Sequence, residues 1–160
     1  MDPNKFALHL RLHKLHDTGV LAVILLHELL QKQGRNVTLV QGYLTVMGET
    51  CWHVWIEDEK GFQIDLGRIL ACHVEPEFQK CEFKFMREKP EGVEVKEDPA
   101  NVGIWDARNE KLFWKRAPRP FLEFRSKCHK AVPKCTSRVD SEDRDHPLRN
   151  QEALQEATHV

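Results

Sequence analysis

Hydrophobic and polar positions change period three times along the chain. Over residues 4–16, Phe6, Leu8, Leu12 and Leu15 recur near helical spacing, which predicts a short amphipathic helix. Asp17 and Thr18 then offer N-cap chemistry to a second helix over 18–33, which Gly34 stops. That helix is apolar almost all round in VLAVILLHELL (20–30) and polar only at its end, so it is predicted to lie beneath other elements.

From Asn36 the period shifts towards two. The β-branched run NVTLVQGYLTVM (36–47) reads as a strand, Gly48 and Glu49 as a turn, and CWHVWIE (51–57) as a second strand. Asp58 to Gly61 turn the backbone into FQIDLG (62–67), a predicted third strand, and EFKFMRE (82–88) alternates like a fourth. The stretch 90–101 reads as loop. Pro118 and Pro120 argue against helix around them, and FLEF (121–124) is predicted as a last strand. The expected class is α+β, a buried central helix packed on an antiparallel sheet, with a domain over 1–125. Beyond Ser126 large apolar residues thin out and charge is dense, so 126–160 is predicted to be a charged, disordered tail.

Composition narrows the function classes. The chain has 160 residues, with 41% hydrophobic and 31% charged residues and a formal net charge of −1, so no overall field draws it to nucleic acid or an anionic membrane. VLAVILLHELL carries His27 and Glu28 and is too short to span a bilayer. The N-terminal residues do not read as a signal peptide. Five cysteines at irregular spacing suit reduced thiols in a cytoplasmic setting.

The chemistry concentrates in CWHVWIEDEKGFQIDLG (51–67). On a strand, Trp52, Val54 and Ile56 face one way and His53, Trp55 and Glu57 the other. A turn centred near Glu59 and Lys60 sets His53 opposite Asp65, where a carboxylate can fix the imidazole tautomer as the orienting member of a triad does. The same spacing also describes a satisfied polar pair on two neighbouring strands, and both readings stay open on spacing alone.

The run LLHELLQKQGRNVTLVQGY, followed by WHVWIE and then IDLG, resembles the core of the transglutaminase-like group, which includes transglutaminases, peptide:N-glycanases and related papain-like proteases. Gly34, Gly42-Tyr43, His53-Val54-Trp55-Ile56-Glu57 and Asp65 match that pattern in order over roughly residues 15–70. The resemblance implies a papain-like fold and amide-bond or acyl-transfer chemistry, with His53 as base and Asp65 as its orienter. It also implies a cysteine nucleophile at the start of the central helix, where the dipole favours a thiolate. Asp17-Thr18-Gly19-Val20 occupy that place and hold no cysteine.

Three explanations compete: a pseudoenzyme that binds rather than cleaves, Thr18 acting as nucleophile, or a natural cysteine replaced in this sequence. Cys51, two residues from His53, has no helix dipole aimed at it and reads as a small apolar side chain. The expected ligand is a peptide or protein held near Trp52, Trp55 and Tyr43, with no nucleic acid, no membrane, no metal and no cofactor. Two further groups invite a metal reading: the stripe His9, His13 and His16, and the scattered Cys72, His73, Cys81, Cys128, His129 and Cys135. Neither has knuckle spacing, and solvated histidines and reduced thiols explain both. The basic run 115–130 reads as a solvated surface segment, with Trp105 and Trp114 packing it to the core.

Overall fold

A computed structural model describes residues 1–15, 19–96, 114, 115 and 117–134. Among the described residues there are four α-helices: α1 (Pro3–Leu12), α2 (Val20–Lys32), α3 (Leu66–Val74) and α4 (Arg119–Ala131). The strands are β1 (Val37–Val46), β2 (Glu49–Asp58), β3 (Gln63–Ile64), β4 (Phe83–Met86) and β5 (Val95–Lys96). The fold is α+β, with β3, β2, β1 and β4 side by side and antiparallel, while β5 pairs parallel with β2. No helix among the described residues is long and apolar enough to cross a membrane.

The long β1–β2 hairpin has a register that pairs Gly42 with His53, Val40 with Trp55 and Tyr43 with Trp52. Paired residues share a face of the sheet, so each face has its own set. One face carries Val54 and Ile56 and is covered by the helices. Its core joins Phe6 and Leu10 of α1, eight buried residues of α2, Leu66 of α3, and Phe121 and Phe124 of α4. Each large aliphatic side chain fully buried there contributes about 1.5–3 kcal/mol. α1 turns a different side inward than expected: Phe6, Ala7 and Leu10 are buried, whereas Leu8 and Leu12 are exposed.

The far face carries Val40, Gly42, Leu44, His53 and Trp55. β4 lies beyond β1 and β5 lies beyond β2, so the segment between them must cross the hairpin. It begins that crossing over Gly42. A Cβ there would stand 2.2 Å from the Met86 carbonyl oxygen and 2.7 Å from the Trp55 ring, which is why only glycine fits. Beneath this crossing Trp55 is 1% exposed, and Arg87 pairs with Glu57 on the same face.

Several expectations need correction. The predicted strand 62–67 is two residues long, because the Asp65 side chain accepts from the Gly67 and Arg68 amides and starts α3 instead. The predicted strand 121–124 lies inside α4. Pro118 stands at its N-cap and Pro120 in its first turn, where a missing N–H costs nothing. The boundary at 125/126 consequently falls mid-helix, and Cys128 and Val132 are buried in the core beyond it. Trp114 does pack as expected, stacked on Phe121 and beneath the Arg125 guanidinium. Trp105 and residues 135–160 lie outside the described residues.

Candidate functional site

His53 is displayed by the middle of β2, on the far face with Trp55. The outer edge of β2 is paired to β3 only at Ile56 and Glu57 and to β5 only at Thr50 and Cys51. Between them, among the described residues, Trp52–Trp55 have no strand partner on that edge, and the start of α3 comes in beside His53. A Cβ on Gly67 would sit 3.4 Å from His53 Cε1 and 3.3 Å from Asp65 Oδ1. Glycine at this exposed position therefore leaves one side of the imidazole uncovered.

Asp65 meets His53 by a route different from the one predicted. The β2–β3 register pairs Ile56 with Ile64, which puts position 65 level with Trp55 rather than with His53. The N-cap conformation of Asp65 makes up the difference, and His53 Nε2 lies 2.9 Å from Asp65 Oδ1. The same oxygen accepts from Gly67 N–H at 2.9 Å, and Oδ2 accepts from Arg68 N–H at 3.3 Å. Carboxylate oxygens accept, so the shared proton rides on Nε2 and Nδ1 is left to act as acceptor or base. The Asp65 side chain is 1% exposed and that of His53 22% exposed. The carboxylate is thus structural and sealed, while the imidazole still reaches solvent.

Phe85 borders the site, its ring centroid 6.3 Å from that of His53 and 5.2 Å from that of Trp55. Trp55 Nε1 donates to Glu57 Oε1 at 2.9 Å, so the indole is fixed as well as buried. Of the three predicted binding residues, only Trp55 shares the His53 face, and it forms the wall behind the site rather than an open surface. Trp52 and Tyr43 pair with each other on the opposite face, and Trp52 packs against the helical core.

Of the residues named for the missing nucleophile, Thr18 lies outside the described residues, with His16 and Asp17. Gly19 takes the N-cap position of α2, at φ 49° and without a side-chain cap, and Val20 is buried in the core. Cys51 shares the His53 face, but its Sγ points at the Leu44 carbonyl oxygen at 3.7 Å. Burial, reinforced by the charges of Asp65 and Glu49, pushes the Cys51 thiol above its ordinary range. A nucleophilic thiol needs the opposite shift.

Of the histidines and cysteines weighed for metal, His13 packs on the Phe124 ring and His129 joins a carboxylate of α2, while His16 and Cys135 lie outside the described residues. Among the described residues no group of three or more His, Cys, Asp or Glu side chains is arranged to hold a metal ion. The helix that Asp65 starts escapes a strand reading of 62–67, although Asp followed by the apolar period of LGRILACHV is an N-terminal helix signal. Compared with protein-family models, curated proteins and solved structures, the sequence and its fold match none.

Proposed function

We propose that this protein is a transglutaminase-like domain that keeps a His–Asp pair without an activated thiol and serves as a binding module for peptide segments of other proteins. The observation that carries the reading is the state of His53. Asp65 holds it through Nε2, its ring is partly open, and Nδ1 has no hydrogen-bond partner among the described residues, while the thiol on its own face is kept protonated. An imidazole fixed in one tautomer beside an aromatic wall recognises an amide N–H as readily as it removes a proton. Among the described residues the outer edge of β2 has no strand partner at Trp52 and His53, which are partly exposed and add main-chain groups of the kind an extended peptide uses. The order of helix, hairpin and His–Asp pair supports the papain-like frame. Cys51, Cys72, Cys81 and Cys128 are all free thiols, which supports a reducing, cytoplasmic setting.

The test is an NMR titration of the full-length protein with pools of short peptides, following the His53 imidazole and Trp55 indole signals. The expected result is a saturable shift of both that vanishes in His53→Ala. Spectra unchanged across varied pools would overturn the reading. The 2.9 Å contact also favours a second reading, an amide-bond hydrolase or acyl transferase with His53 as base, Asp65 as orienter and Thr18 as the candidate nucleophile. Peptide turnover lost in both His53→Ala and Thr18→Ala would establish that one instead.

A further inference from the structure

Asp65 stands between two features. On one side is His53, and on another is a cleft of about 380 Å³ that does not include His53. Its walls come from one side of α3 (Arg68, Ile69 and Cys72) with its N-cap Asp65, from Ile64 of β3 and from the start of α1. That volume lies within the range of small-ligand sites.

The cleft is lined by hydrogen-bond donors and one cationic residue, Arg68. Arg68 has no carboxylate partner among the described residues, and its guanidinium rests on the Phe83 ring at 4.9 Å. Stacking on an aromatic face occupies the flat of the guanidinium and leaves its in-plane N–H groups free to donate. His73 and the side-chain amides of Gln63 and Gln79 line the same space. Asp65, its only carboxylate, already accepts from His53 and from the Gly67 and Arg68 amides, so both of its oxygens are occupied before any ligand arrives. A planar, acceptor-only anion matches such a set, and Ile64 and Ile69 supply an apolar wall for the groups that carry it.

We infer that this cleft binds a carboxylate of a peptide, with Arg68 as its anchor. The inference rests on the peptide-binding reading and names what that site selects. Two sources share the chemistry, the α-carboxylate that ends a peptide and a Glu or Asp side chain.

Cys72 is half-buried in the cleft wall and reports on its occupancy. The full-length protein would be alkylated with iodoacetamide in the presence of a pool of N-acetylated tripeptides with free terminal carboxylates, the same pool as terminal amides, or an amidated pool containing Glu. Labelling of Cys72 would be mapped by mass spectrometry against Cys81, which lies outside the cleft. The free acids are expected to protect Cys72 at concentrations about tenfold lower than the amides, the effect of one lost charge-assisted hydrogen bond. Arg68→Ala should erase the difference without changing the unfolding midpoint, and Arg68→Lys should restore part of it. Protection by the amidated Glu pool at free-acid strength supports the inference and assigns the carboxylate to a side chain. Equal protection by acids and amides, or protection that survives Arg68→Ala, overturns it. Shifts at His53 with no protection of Cys72 overturn the cleft alone and leave peptide binding standing, whereas the absence of both overturns both.

Discussion

His53 pairs with Asp65 at 2.9 Å and His129 with Glu28 at 3.0 Å, and the two imidazole–carboxylate pairs are set in different company. Glu28 also takes a two-pronged contact from Arg125, at 3.0 and 3.1 Å, and Lys32 donates to the His129 carbonyl. Its charge is answered by a permanent cation, and the cluster ties α4 to α2. His129 is one of several partners there. Among the described residues Asp65 has no such cation and is held by two helix-start amides and His53. Bond length therefore does not separate a clasp from a site. The separation comes from what surrounds the carboxylate and from what the imidazole can still reach.

Substitutions can widen or erase this contrast. The largest effect is expected at the frame behind His53. Gly42→Ala drives a methyl into the Met86 carbonyl and the Trp55 ring and should cost about 3 kcal/mol in urea unfolding, with the helix-side cluster untouched. Asp65→Ala should follow at about 2–3 kcal/mol, through loss of the α3 cap and of the sealed partner of His53. Asp65→Asn, which still caps, should recover about 1 kcal/mol of that. Glu28→Ala is expected to cost about 1 kcal/mol, because Arg125 and His129 are each roughly a third exposed and turn to water. If Glu28→Ala proved costlier than Asp65→Ala, the contrast between the pairs would be reversed.

Two smaller effects sharpen it. Gly67→Ala should change stability by less than about 1 kcal/mol, since better helix propensity offsets the tight contacts, yet it should weaken peptide-induced shifts at His53 by covering the ring. The pH dependence concerns thiols. Burial raises both Cys51 and Cys128 in the folded state, so the unfolded protein releases those protons first. Stability is then full below the ordinary thiol range and falls as pH rises through it towards the folded values. Cys51→Ser and Cys128→Ser should each flatten that slope, as read from unfolding curves on either side of the range.

Much of the helix face was legible because apolar periodicity reports burial directly: α2, β1 and β2 stand within two residues of their predicted ends. The His53–Asp65 pair was legible as a juxtaposition, but for an incomplete reason. As a strand residue Asp65 would merely face His53 across the sheet, whereas its short carboxylate takes the next two amides and turns the backbone into a helix. Around 118–124 the prolines read as breakers in the sequence, whereas in the first turn of a helix proline is a starter. The crossing over Gly42 left a trace only as a glycine in a strand, which marks close backbone approach without saying what approaches.

Everything proposed for His53 depends on its working without an activated thiol. Alkylation of the native protein by iodoacetamide at neutral pH, mapped by mass spectrometry alongside His53→Ala, decides that point. Slow labelling is expected at every cysteine, unchanged in His53→Ala, with Cys51 far slower than in the urea-unfolded protein. Rapid, selective labelling of one cysteine that disappears in His53→Ala would overturn the binding-module reading and put a working nucleophile beside the pair.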